Sequence, residues 1–271
     1  MKTISVMKTI FAKSYVLLIL LVSMFVFSSC KDDSVVAIGK DGADGSVGAT
    51  HKDGSVQGKG EVISEERVVS AFDAVAVEDD IEVYLTQGPT QNLRLEGQEN
   101  ILKEVTTLVS DNKLTIRFSE VGIGKHKPVK VYITIPTLRS VEVSGASQAT
   151  GQTDWDSGNG NFKVKVSGSG KAEFRLLHVN ELGTAVSGAG KVTLSGDCAS
   201  HDVDISGAGN VYALDMISAN ADARISGAGN CEIGVTGKLK ARVTGSGNVR
   251  YRGNAVVEAK ISGSGKVQKV D

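Results

Sequence analysis

The chain has 271 residues, 41% apolar and only 5% aromatic, with 32 glycines, three prolines and a formal net charge of −1. It carries no basic block or stripe, which argues against a nucleic-acid partner. Four histidines and three cysteines leave little material for a metal or redox centre.

Lys2, Lys8 and Lys13 precede an apolar run from Val16 to Phe27. The run is too short and too one-sidedly flanked for a comfortable membrane span. It ends in Phe27-Ser28-Ser29-Cys30. Small residues before a cysteine, directly after an apolar core, resemble a bacterial lipoprotein cleavage site. That resemblance implies a leader over 1–29, lipid on Cys30 and attachment to a membrane; the alternative is an ordinary signal peptide with a chance cysteine. Lys31-Asp32-Asp33 resembles the lysine-plus-acidic export tag of Bacteroidetes lipoproteins displayed on the outer face of the outer membrane. A solvated charge cluster is the plainer reading. Met1-Lys-Thr-Ile recurs at Met7, so both methionines are candidate starts. Removing 1–29 takes three of the 30 basic residues and none of the 31 acidic ones, leaving −4.

Residues 30–60 read as a flexible tether. Gly39, Gly42, Gly45 and Gly48 briefly keep a three-residue period, but the segment has no proline and too few triplets for a collagen helix. Residues 61–140 then alternate apolar and polar at period two in Phe72–Val77, Ile81–Thr86, Asn92–Glu96, Lys113–Phe118 and Val129–Ile135. Ser110-Asp111-Asn112 is a turn between two of these strands. Residues 101–109 have some helical character, but Val105, Thr106, Thr107 and Val109 are β-branched and favour a strand.

From residue 141 a short apolar stretch runs seven times into the same turn: Val/Ile, Ser/Thr, Gly, Ala/Ser, Gly (once Ser), then Lys, Asn or Gln. The first glycines are Gly145, Gly168, Gly188, Gly207, Gly227, Gly245 and Gly263, spaced by 23, 20, 19, 20, 18 and 18 residues. A period near twenty without intervening helices predicts an all-β fold, a single-stranded parallel β-helix (β-solenoid) of about seven coils of 18–23 residues. Its β-rich N-terminal part, 61–140, forms irregular coils, and 141–271 the regular repeats.

The repeats align in columns. Two residues before the first glycine stand Val143, Val166, Val186, Ile205, Ile225, Val243 and Ile261; four after it stand Ala149, Ala172, Val192, Val211, Cys231, Val249 and Val267. Both columns point inward. Between them Glu142, Lys165, Ala185, Asp204, Arg224, Arg242 and Lys260 point to water. Each glycine allows the sharp bend that every coil repeats. Lys, Asn or Gln three residues on form an external ladder, in which Asn210, Asn230 and Asn248 bond amide to amide. A softer second corner falls at Gly196, Asp215 and Gly253. Cys198 and Cys231 sit in different columns about two coils apart, roughly 10 Å along the stack, too far for a disulfide. They read as free, buried thiols.

Arg67–Phe72 with Val75-Ala-Val77, Ile81–Gly88, Val129–Leu138 leading into Val141–Ala146, and the Ser-Gly-Ala-Gly turns resemble the "head GIN domain" family of putative auto-transporter adhesins. The likeness covers the whole domain 61–271. It implies the solenoid fold and a role in surface binding, and it brings no catalytic or ligand residues with it.

Other motifs carry little chemistry. Gly168-Ser-Gly-Lys171 and Gly263-Ser-Gly-Lys266 lack the spacing, the Ser/Thr and the helix of a phosphate loop. The turns lack the aspartates of calcium β-rolls. His51, His126, His178 and His201 are scattered and read as exposed polar residues. Glu78, Asp79 and Asp80 are consecutive, so in extended chain they diverge rather than converge on a cation. Asp204 and Arg224 are the best enzymatic pair, and more simply a cross-coil ion pair. Trp155, in the Asp154–Asn161 stretch of the longest spacing, is expected in a surface loop, and with Tyr212 is the expected exposed aromatic.

These readings lead to a non-catalytic, lipid-anchored envelope protein that presents a rigid face to a glycan or protein ligand, without cofactor or metal. The alternatives are a glycan-active enzyme on the same scaffold and a structural or envelope-stress module that binds another protein. Its expected location is the outer membrane, at the cell surface.

Overall fold

Valine and isoleucine alternating with polar residues give strands with one buried face, and a glycine at a fixed point lets each strand turn its next segment onto a new side of the same core. The computed structural model, which describes residues 55–119 and 122–271, is about 70% strand and winds into a β-solenoid of about six turns. The expected leader, Cys30, Lys31-Asp32-Asp33, His51 and the expected tether as far as residue 54 lie outside the described residues. Among those described, Val56 and Gly58 already donate backbone hydrogen bonds to Gly122 and Lys125 (2.7 and 2.9 Å), so the chain is docked on the fold before residue 61.

The strands in chain order are β1 (Val62–Glu66), β2 (Ala74–Val77), β3 (Glu82–Gln87), β4 (Asn92–Gln98), β5 (Val105–Ser110), β6 (Lys113–Phe118) and β7 (Lys130–Ile135). The repeats supply β8 (Ser140–Gly145), β9 (Gln148–Asp156), β10 (Phe162–Gly168), β11 (Lys171–Gly188), β12 (Lys191–Gly207), β13 (Asn210–Gly227), β14 (Asn230–Gly245), β15 (Asn248–Arg252), β16 (Val256–Gly263) and β17 (Lys266–Lys269). The chain makes one helical turn, α1 (Glu99–Leu102), which overlaps the 101–109 region only at that region's first two residues, before β5 begins. Asp111 and Asn112, both at positive φ (50° and 59°), form the expected tight turn between β5 and β6.

Two long faces result. One runs β1-β4-β7-β3-β9-β11-β12-β13-β14-β15-β17; the other runs β5-β6-β2-β8-β10-β11-β12-β13-β14-β16. Strands β11 to β14 bend through both faces. Pairing is parallel throughout the repeats, whereas β4 runs antiparallel to β1 and β7, and β5 to β6. The irregular N-terminal part is therefore a mixture of parallel coils and antiparallel strands. It closes one end of the core: α1 links the two faces at that end with Ile101 and Leu102 fully buried. Arg67 locks the closure by donating to the carbonyls of Leu102 (2.8 Å) and Val105 (2.6 Å).

The glycine corners behave as the period requires. All seven first glycines have φ between 71° and 125°. At each coil after the first, the residue after the glycine donates to the glycine carbonyl of the coil before, as from Ala208 to Gly188 and from Ala228 to Gly207, both at 2.8 Å. A Cβ on Gly207 would stand 2.7 Å from that same Gly188 oxygen, so only glycine satisfies both the dihedral and the ladder. Both inward columns are buried from the first coil to Val243 and Val249; at the last coil Ile261 is 42% exposed.

Two sequence expectations are overturned inside the core. Trp155 is buried at 2% exposure within β9 and pairs in register with Leu176; the surface loop is confined to the residues after Asp156. His201 is not an exposed polar residue but wholly buried, in register between Leu182 and Ala221. Both side chains fill core columns, which hydrophobic burial favours for their ring carbons.

Candidate functional site: the eleven-strand face

Register carries one row of outward side chains across every strand of the first face. From β1 to β17 it reads Glu66, Arg94, Tyr132, Tyr84, Thr150, Glu173, Thr193, Tyr212, Glu232, Arg250 and Gln268. None of these residues is buried. Ten strand steps make a strip about 48 Å long. The predicted Lys/Asn/Gln ladder runs beside it on the same face. Asn230 donates to Asn210 (2.9 Å) and Asn248 to Asn230 (3.0 Å), as expected from the repeat.

The strip is ordered by its own contacts. Tyr84 and Tyr132 stack with ring centroids 5.2 Å apart, and the Arg94 guanidinium lies 4.2 Å from the Tyr132 ring centre. Arg94 also pairs with Glu96. The Tyr84 hydroxyl donates to Glu82 (2.8 Å); this bond and partial burial push its pKa up to about 12, so it stays a donor at neutral pH. Farther along, the Lys191 ammonium sits 4.8 Å from the Tyr212 ring centre, and Arg250 pairs with Glu232 at 2.7 Å. Exposed Tyr212 agrees with the sequence reading. Tyr84 and Tyr132 were not singled out from sequence, because the two tyrosines lie 48 residues apart and meet only through the parallel β3–β7 pairing.

On the other face the expected Asp204–Arg224 pair forms at 3.5 Å, within a network where Asp222 binds Arg224 (2.7 Å) and Arg242 (2.9 Å). Each carboxylate there already faces a guanidinium, and such an arrangement braces neighbouring coils. A recess of about 570 Å³ opens beside the 157–161 loop, with Arg139, Asn161, Lys163, Glu181 and Asp202 in its wall. In this wall Asn161 donates to Glu181 (3.0 Å), and Arg139 pairs with Asp73 just outside it (3.0 Å).

The remaining candidates disperse. Glu78, Asp79 and Asp80 have separate partners: the Asp79 carboxylate accepts from the Phe118 amide (2.8 Å), the Asp80 carboxylate faces His126 (3.5 Å), and at Glu78 the backbone carbonyl takes the Ser147 hydroxyl (2.8 Å). Gly168-Ser-Gly-Lys171 and Gly263-Ser-Gly-Lys266 run straight into β11 and β17. Cys198 and Cys231 are free and buried, and burial pushes both thiols up to about 12. Among the described residues no group of three or more His, Cys, Asp or Glu side chains is placed to hold a metal ion.

With this geometry in place, the comparison with known families is decisive. Residues 71–255 match the family described as "putative auto-transporter adhesin, head GIN domain". The chain belongs to this family. Solved structures similar to this head GIN domain include a "putative adhesin" from Bacteroides fragilis, with TM-score 0.73 and 21% identity over 80% of this chain and 100% of the other. A "putative adhesin" from Parabacteroides merdae gives TM-score 0.61 and 23% identity over 80% and 99%. A "putative lipid binding protein" from Parabacteroides distasonis gives 0.68 and 18% over 80% and 100%. At these identities the shared property is the fold. A comparison with curated proteins returned no match.

Proposed function

We propose that this head GIN domain is a non-catalytic adhesin, held to the outer membrane by lipid on Cys30 and displayed at the cell surface, whose eleven-strand face binds a glycan or protein. The observation that carries the reading is the uninterrupted outward row from Glu66 to Gln268, in which tyrosines, charged groups and hydroxyls recur at strand spacing on a rigid sheet. A rigid, pre-ordered surface gives up little entropy on binding, and the alternation of tyrosine with charge suits an extended polar ligand with some apolar surface. The acid–base pairs on the opposite face are already satisfied by each other, so they support bracing rather than catalysis.

The experiment is retention of the full chain on an array of extracellular glycans and matrix proteins, with the array products then checked for cleavage. Binding without shortening of any polymer is expected. Hydrolysis or lyase products would replace the adhesin reading with an enzymatic one. Anchoring is tested separately with Cys30→Ala, which should abolish lipid labelling and release the protein from the membrane fraction. Protease added to intact cells should cut between residues 30 and 60. Protection until the outer membrane is broken would place the domain in the periplasm.

A further inference from the structure

We infer that the C-terminal end of the solenoid is a self-association surface, joining two copies end to end through antiparallel pairing of β16 with the β16 of a second copy about a two-fold axis at Ala259. Among the described residues both ends of the stack leave strand edges open, β1 and β5 at one and β16 at the other, but their cores are finished differently. At the N-terminal end α1 closes the core, with Ile101 and Leu102 fully buried. At the other end β16 pairs with β14 on one side, and among the described residues no strand covers its other edge. Val257, Ala259 and Ile261 continue the buried columns of Leu239, Ala241 and Val243, yet Ile261 is 42% exposed where Val243 is 1% exposed. Among the described residues the core at this end therefore presents open apolar side chains and an open hydrogen-bonding edge.

Three properties make a second copy the fitting occupant. First, β16 is self-complementary. Centring an antiparallel pair on Ala259 places Val257 opposite Ile261 and Glu258 opposite Lys260, on both sides of the axis, so that apolar meets apolar inward and acid meets base outward. Second, Lys260 stacks in register on Arg242, a like charge, and among the described residues has no ion pair of its own. Glu258 pairs with Lys238 of its own copy at 3.1 Å, and from a second copy it would also face Lys260 and supply the missing acid. An edge lysine ordinarily discourages strand pairing; this arrangement turns it into an attraction. Third, a two-fold contact uses the same patch on both partners and closes at two. The covered N-terminal end is left free, so the association stops at a dimer rather than growing into a fibre.

The test uses the full chain carrying Cys30→Ser, whose native thiols are then the buried Cys198 and Cys231. Ala259→Cys should form an intermolecular disulfide under mild oxidation, because directly opposite residues of an antiparallel pair have Cα atoms about 4.5–5.5 Å apart, within disulfide reach. Val257→Cys should not, since its partner is Ile261. In sedimentation, Glu258→Lys and Lys260→Glu should each weaken dimerisation about tenfold by setting like charges opposite one another, and the double exchange should restore it. Rescue by the double exchange is what a merely structural effect of either single change would not give. A chain that remains monomeric at high concentration would overturn the inference. So would a dimer that Ala259→Cys fails to cross-link, or single and double exchanges of equal effect.

Discussion

The hydroxyl of Ser147 accepts the backbone N–H of Ile81 at 3.1 Å, joining residues 66 apart in sequence. The same hydroxyl donates to the Glu78 carbonyl at 2.8 Å. Ser147 holds the position that glycine occupies in the other turns, and it is 1% exposed. The first corner of the regular stack keeps the ladder, Ala146 donating to the Asp79 carbonyl (2.6 Å) and Gln148 to that of Ile81 (3.0 Å), and the Ser147 hydroxyl adds a side-chain grip on the irregular chain above it.

Replacing Ser147 with alanine should cost about 1–3 kcal/mol, the range for leaving a buried amide without its partner. Ser147→Gly, which restores the repeat pattern, should lose at least as much. Chemical denaturation of both variants checks this. A change within error would mean that the corner is held by something other than the hydroxyl.

The repeat itself was readable from residues: seven glycines at a period near twenty, two β-branched columns and an asparagine ladder all correspond to parallel strands in register. His201 was also readable in principle. It lies six residues before Gly207, as Leu182 lies six before Gly188 and Leu239 six before Gly245, a third inward column overlooked because histidine is polar. Trp155 was harder. The register between β9 and β11 shifts by two residues between Glu173 and Arg175, so Trp155, ten residues after Gly145, meets Leu176, eight after Gly168, and counting from the turn does not bring the two together. The antiparallel β4 and the Tyr84–Tyr132 stack depend on which distant strands become neighbours, and period-two alternation does not encode that choice.

Glycine and ladder positions should separate cleanly in stability. Gly207→Val combines a φ of 110° with a Cβ 2.7 Å from the Gly188 oxygen, and should destabilise the domain by on the order of 3 kcal/mol or more. Gly227→Val, with φ 125°, should behave alike. Lys191→Ala should cost about 1 kcal/mol or less, and Asn230→Ala, which removes two half-buried amide bonds, about 1–2 kcal/mol. Urea midpoints for the four variants are the measurement, and glycine variants of wild-type stability would remove the structural reading of the turns.

Burial holds His201 neutral, with a folded-state pKa of about 3 and its Nε2 2.9 Å from the Thr184 hydroxyl. The folded value is below the unfolded one of about 6.5, so the unfolded state binds the proton first. Stability should therefore be unaffected by this group above about pH 6.5 and fall by up to about 1.4 kcal/mol per pH unit as pH drops from there toward 3. Thr184→Val combined with His201→Leu should flatten that part of the profile. An unchanged acid limb would show that other groups dominate it.

Cys198 and Cys231 should resist thiol reagents in the folded protein, since both are buried and their thiols are held near 12. Labelling should appear only with denaturant and track global unfolding. Rapid labelling of either one in buffer would indicate local opening of the coils that carry them.

The most direct measurement for the account as a whole compares the two faces in one binding assay. Tyr212→Ser and Arg250→Glu alter the eleven-strand face, and Lys165→Glu alters the other; all three positions are exposed. With folding verified by circular dichroism, the first two should each reduce retention on the bound glycan or matrix protein at least about tenfold, the effect of losing one well-placed contact. Lys165→Glu should leave it unchanged. Loss of binding with Lys165→Glu, alongside full retention by Tyr212→Ser and Arg250→Glu, would contradict the assignment of the ligand to the Glu66–Gln268 row.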